Sequence, residues 1–156
     1  MRVRDVMVKD VKFCNRQMNL AAAAEILWDK GCGALPVVED GRVLGIITDR
    51  DISIALGTRN ARAADVLVRD VALPKVFYCT AEDDIHLALQ TMRAQKVRRL
   101  PVVDTKGELE GILCLDDIVL FAGEKGGDLT YTDVIETFQA ICEHPAAAVK
   151  NLAVAI

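Results

Sequence analysis

The chain has 156 residues, 52% of them hydrophobic, with 19 Lys and Arg against 23 Asp and Glu. That length suits one compact domain or two small intertwined ones. A net charge of -4, mixed along the chain, excludes the basic stripe of a nucleic-acid binder, and no apolar run reaches the roughly 18 residues of a membrane span.

The start, "MRVRDVMVKD", lacks the apolar core of a signal peptide, so a cytoplasmic protein is expected. A short strand is predicted over 11–14. The segment "NLAAAAEILWDKG" follows, a helix with Leu20, Ala23, Ala24, Leu27 and Trp28 on one face and Gly31 as its C-cap. "LPVV" from Leu35 reads as a brief buried strand whose Pro suits an edge or a strand start. A Gly turn leads to a second strand, Val43 to Thr48, and "DRDISIAL" opens a closing helix.

The chain then writes the same unit again. Leu35-Pro36-Val37-Val38 matches Leu100-Pro101-Val102-Val103 at an offset of 65, and so do Cys14 and Cys79, Leu20 and Ile85, Ala23 and Ala88, Leu27 and Met92. After the turn the offset is 66: Gly45 to Gly111, Ile46 to Ile112, Asp51 to Asp117. The extra residue falls in the turn, where insertion costs least. The second copy predicts a strand over 76–79, a helix with Ile85, Ala88, Leu89 and Met92 inward, a strand over Leu109 to Cys114, and a closing helix from "LDDIVLFA". "DVMVKDV" from Asp5 and "DVLVRDV" from Asp65 echo each other ahead of the two copies.

Each unit is β-α-β-β-α. Three short strands and two helices carry too small a core to stand alone. Two copies packed sheet to sheet remove that problem and create two related clefts. The expected fold is therefore α+β: pseudo-twofold-related repeats at 1–58 and 59–122, then a C-terminal helix and apolar tail at 123–156. In "LTYTDVIETFQAICEH", Thr132 is the expected N-cap and Pro145 the end of the helix. The final "AAAVKNLAVAI" packs on a partner subunit or stays unfolded; the sequence leaves both open. The five cysteines are odd in number and never spaced CxxC, which suggests neither disulfides nor zinc. Cys14 and Cys79 read as small buried thiols.

"GALPVVEDGRVLGIITDRDI" and "RRLPVVDTKGELEGILCLDDI" resemble the core of the cystathionine-β-synthase, or CBS, domain. Two in tandem resemble a stand-alone CBS pair, a Bateman module, over roughly residues 5–122. The resemblance implies a regulatory, signal-transducing module with no catalytic cofactor. It also implies a homodimer and an adenosine-containing ligand in the clefts: AMP, ADP, ATP, NAD or S-adenosylmethionine. By the resemblance, adenine lies between the start of one copy and the last strand of the other. Lys12 and Phe77, Gly33 and Ala34, and Val97, Arg98 and Arg99 would line those places, with Ile46 and Ile112 as apolar walls. Arg98 and Arg99 also read as a solvated helix end, and Phe77 as core.

The motif "TDRD" supports such a site on its own chemistry. A strand ends at Thr48 and a helix begins, offering free N–H groups to a phosphate. Thr48 adds a hydroxyl, Arg50 a guanidinium, and Asp51 acceptors for a ribose diol. Thr-x-x-Asp is equally the pattern of a helix capping box. In "CLDD", Cys114 replaces the Thr while Asp117 stays, and Asp116 adds negative charge. The two clefts are thus expected to be unequal, with Asp51 mattering more than Asp117. A ligand-free dimerisation or docking scaffold is the alternative. No nucleophile–base pair or metal set points to an enzyme.

Overall fold

The computed structural model describes residues 1–72, 75–124 and 127–143. Helix α1 (Leu20–Lys30) precedes strands β1 (Ala34–Glu39) and β2 (Arg42–Thr48), and α2 (Asp49–Arg59) closes the first repeat. The second repeat runs α3 (Ile85–Gln95), β3 (Arg99–Val103), β4 (Leu109–Cys114) and α4 (Leu115–Phe121), and α5 (Tyr131–Cys142) follows. The architecture is the expected α+β fold of two repeats and a C-terminal helix.

The helices start and stop where their capping chemistry allows. Asn19 caps α1, accepting from the Ala22 amide at 2.9 Å, and Gly31 ends it at φ 60°. Asp84 caps α3 in the matching place. Each β-strand pair is an antiparallel hairpin with its register shift at the same point, Val37/Val38 and Val102/Val103. The hairpins join at their turns. The Val43 amide donates to the Gly107 carbonyl at 3.2 Å, and the Leu109 amide to Gly41 at 3.1 Å. These two bonds exchange under the 66-residue offset, so the pseudo-twofold axis passes between them.

The strands expected over 11–14 and 76–79 shrink to single parallel bridges, Cys14 with Val37 and Cys79 with Val102. The cause is a crossing of the chain. Val8 is paired antiparallel to Ile112 of the second repeat, while Cys14 lands on the first, so only the landing residue can pair.

The segments that lead into the two repeats are exchanged between them. The Leu20 amide donates to Val66 O at 2.9 Å, and the Ile85 amide to Met1 O at 3.0 Å. Val3 and Val6 are buried with Ile85, Leu89 and Leu100 of the second repeat. Val66 and Val68 are buried with Leu20, Leu35 and Ile47 of the first. Each half of the chain therefore completes the core of the other.

Two expectations need correction. Trp28 does not join the buried face of α1 but is 86% exposed. It stands one residue past Leu27, about 100° round the helix, on a flank that no described element covers. The N-cap of α5 is Thr130, not Thr132. Its hydroxyl accepts from the Asp133 amide at 3.2 Å, and Asp133 Oδ2 accepts from the Thr130 amide at 2.9 Å. A reciprocal box needs an acid three residues on, and Asp133 supplies it only for Thr130. Residues 144–156, with Pro145 and the apolar tail, lie outside the described residues.

Candidate functional site

A cavity of about 470 Å³ opens between the repeats. Lys12, Gly33 and Ala34 come to it from the first repeat, and Ile112, Cys114 and Asp117 from the second. Arg99, on β3, also reaches it. The chain folds this way because the crossing segment 8–14 runs over the edge of β4. Gly111 permits that approach: a Cβ there would meet the Val8 carbonyl oxygen at 2.8 Å.

The related cavity on the other side is about half the size, about 240 Å³. Ile46, Phe77, Val97 and Arg99 line it. Lys75 lies over the Phe77 ring, 5.0 Å from its centre. The structure thus places ten of the fourteen expected residues on two cavities, with Arg99 shared. Thr48, Arg50, Asp51 and Arg98 line neither.

Thr48 and Asp51 form a closed capping box. Asp51 Oδ2 accepts from the Thr48 amide at 2.9 Å and from its hydroxyl at 2.7 Å, and the Asp51 amide donates to Thr48 Oγ1 at 3.1 Å. Asp51 Oδ1 makes none of these bonds. Arg50 is exposed. Arg98 turns outward and lies over the Phe138 ring of α5, 5.2 Å from its centre.

The second motif is built differently. Helix α4 has no side-chain cap at Cys114. Burial pushes the Cys114 thiol up to about 12, and the nearby negative charge of Asp117 pushes the same way. The thiol thus stands where Thr48 has its hydroxyl, and Asp117 faces the cavity half-buried. Cys14 and Cys79 are buried, as expected, and burial raises them to about 11 and about 12.

The charges of the cavities differ. The larger holds Lys12, Lys30 and Arg99 against Asp10, Asp116 and Asp117, with Lys12 Nζ already 2.9 Å from Asp10 Oδ1. The smaller holds Lys75 and Arg99 and no carboxylate among its lining residues. Sequence reasoning missed Lys30, Asp10 and their counterparts at the 65-residue offset, Gln95 and Lys75. The repeat itself carried the signal, since a residue that lines one cleft marks its counterpart in the other.

One group of potential metal ligands occurs among the described residues: Asp84, His86 and Asp128, with ligand atoms within 4.8 Å of one another. It lines neither cavity. Its carboxylates already hold partners, with Asp84 Oδ1 3.0 Å from His86 Nδ1 and Asp128 Oδ1 accepting from the Met1 ammonium at 3.1 Å. Among the described residues no helix is long and apolar enough to cross a membrane.

The CBS domain family model matches residues 3–57 and again 68–124. The chain belongs to the CBS domain family. Hypoxic response protein 1 of Mycobacterium tuberculosis is 33% identical over 150 residues, 93% of this chain and 96% of that protein. Inosine-5'-monophosphate dehydrogenase of Thermoplasma acidophilum is 28% identical over 120 residues, 76% of this chain. Only 23% of that enzyme is matched, so the chain spans less than a quarter of its length. A CBS domain pair solved in complex with 5'-methylthioadenosine and S-adenosyl-L-methionine superposes with a TM-score of 0.73 at 25% identity. That match covers 80% of this chain and 98% of the other. The CBS family assignment rests on two matched copies, one in each repeat.

Proposed function

We propose that this CBS pair is a regulatory sensor that binds an adenosine-containing ligand of the AMP, ADP, ATP or NAD class and catalyses no reaction on it. The observation that carries the reading is the 470 Å³ cavity with Asp117 at its wall. Ligand sites commonly measure about 300–1,000 Å³, mostly apolar with a few polar groups. Asp117 offers acceptors to a ribose diol, Ile112 an apolar face to the base, and Lys12, Lys30 and Arg99 positive charge to phosphate. The related structure with two adenosine compounds supports the ligand class.

The residues of this cavity suit binding rather than turnover. The Cys114 thiol is held protonated, and a protonated thiol is a poor nucleophile. The volumes favour the cleft that Asp117 lines over the smaller one, the reverse of the order the motifs suggest. In the smaller cleft, Ile46, Phe77 and Val97 form the apolar wall, while Asp51, closed in its capping box, lines neither cavity.

The partner we propose is a second copy of the chain. Trp28 is 86% exposed on α1 and Leu120 77% exposed on α4. Large apolar side chains so placed fit a helical interface. A ligand-free scaffold is the second reading, favoured by the closed Thr48–Asp51 box, which satisfies half of that carboxylate internally. Thermal melting with a nucleotide panel separates the two. A ligand at 100 times its Kd adds about 2.7 kcal/mol, a shift of several degrees. No shift with any adenosine compound, together with a dimeric mass, establishes the scaffold.

A further inference from the structure

The two repeats differ at one position that both clefts use. The offset of 65 maps Ala34 onto Arg99. Ala34 lines only the larger cavity, whereas Arg99 lines both. Arg99 stands on β3 opposite Cys114, and its neighbours Val97 and Pro101 share with it the smaller cavity. Its guanidinium reaches across the pseudo-twofold. Nη2 lies 3.1 Å from the point where a Cβ on Gly33 would stand, and Asp49 Oδ2 lies 3.5 Å from that same point. Gly33, with no side chain, leaves the guanidinium its place between the clefts.

The guanidinium is also uncommitted. Among the described residues it makes no hydrogen bond and no ion pair within 4.0 Å, although Arg99 is half-buried. By contrast, Arg93 uses three nitrogens on α5. An arginine fork carries five donors and matches a phosphate well. Desolvating it without a partner is costly, so an anion is the ligand it lacks.

Neither cavity has charge to spare without it. The larger would keep two lysines against three carboxylates, and one of those lysines is already paired with Asp10. The smaller would keep Lys75 alone. We propose that Arg99 is the one phosphate anchor for both clefts, so that the chain holds a single phosphorylated adenosine ligand at a time. A phosphate in one cleft draws the guanidinium there and withdraws it from the other. The two clefts then compete, and a cell in which two adenosine ligands vary would read out their ratio. This inference rests on the clefts being adenosine sites.

The test is calorimetric titration of the full chain with AMP and with adenosine. Wild type is expected to take one AMP per chain, with any second site at least about tenfold weaker. Arg99→Gln is expected to weaken AMP by about tenfold to a hundredfold, the loss of a charge-assisted hydrogen bond. Adenosine, which has no phosphate, should change less than about threefold. Gly33→Ala, whose Cβ would stand 3.1 Å from Nη2 and ask the flexible guanidinium to shift only slightly, should weaken AMP less than Arg99→Gln does, with folding of both variants checked by circular dichroism. Two equal and independent AMP sites in wild type overturn the shared anchor while leaving the clefts as adenosine sites. So does an Arg99→Gln variant that binds AMP as wild type does. If neither AMP nor adenosine binds wild type, the sensor reading fails and the anchor with it.

Discussion

Trp28 and Arg93 occupy the same place in the two repeats, yet one is 86% exposed and the other is bonded to α5. Arg93 donates from Nε to the Thr137 hydroxyl at 2.7 Å and from Nη2 to the Asp133 carbonyl at 2.9 Å. Helix α5 therefore covers the α3 flank of the second repeat and leaves the α1 flank of the first uncovered. Arg93→Ala should cost about 1–3 kcal/mol, the penalty for part-buried acceptors left without a donor. Hydrogen exchange should show 131–142 opening first. Protection of α5 unchanged from wild type contradicts the assignment.

The exposed Trp28 flank gives the dimer its test. Trp28→Glu sets a charge where a second copy would pack. Light scattering should give twice 17.0 kDa for the native chain and the monomer mass for the variant. A native monomer at micromolar concentration rules out the interface.

Gly111 and Gly57 should respond oppositely to the same change. A Cβ on Gly111 meets the Val8 carbonyl at 2.8 Å, so Gly111→Ala pushes the crossing segment off β4. Overpacking of this kind costs about 1–3 kcal/mol, or roughly 2–4 °C per kcal/mol at this size. Gly57 in α2 has nothing within 4 Å, and Gly57→Ala should add about 0.5–1 kcal/mol through helix propensity. Melting curves decide both, and equal shifts of one sign contradict the packing.

Much of this was legible in the sequence. The period of Ile85, Ala88, Leu89 and Met92 gave a buried helix face, and all four are buried. Gly31 ended α1 because the left-handed conformation it adopts is costly for other residues. Other features depend on neighbours that periodicity does not carry. Trp28 looks like core unless one knows that no helix among the described residues covers that flank. The echo from Asp5 and Asp65 marks similarity but neither the true pairing nor which core each segment enters: it matches Val68 to Val8, whereas the structure sets Val68 in the place of Val3, 65 residues before it. The long reach of Arg99 follows from Gly33, a contact between positions 66 apart. Thr130 could have been found, since Asp133 stands three residues on.

Thiol reactivity should follow burial. At pH 8, Cys142, which is exposed, should alkylate first. Cys14, at about 11, and Cys79 and Cys114, both at about 12, should lag, because the thiolate is the reactive form. Asp117→Asn removes a charge that raises Cys114, so it should speed labelling of Cys114 while leaving Cys79 unchanged. Peptide mapping by mass spectrometry reads both, and no change at Cys114 removes Asp117 as a cause of its raised pKa.

Acid should loosen the α3–α5 end first. The His86 amide and ring hold Asp84 below its usual range, the Met1 ammonium does so for Asp128, and the Thr130 hydroxyl for Asp133. A depressed carboxyl gives stability that is present above its unfolded value, about 4, and that is lost as pH falls through the lower folded value. Protection of α5 should therefore hold from neutrality to about pH 4 and fall below it. A loss centred near pH 6 contradicts this origin.

The most direct test of the sensor reading is calorimetric titration of AMP into wild type and Asp117→Asn. The account predicts saturable binding by wild type and, for the variant, affinity lower by about tenfold to a hundredfold, the worth of one charged hydrogen bond to the ribose. Asp51→Asn should lose less, since that carboxylate lines neither cavity. Wild-type affinity in Asp117→Asn, with binding abolished in Asp51→Asn, would contradict the placement of the ligand in the larger cleft.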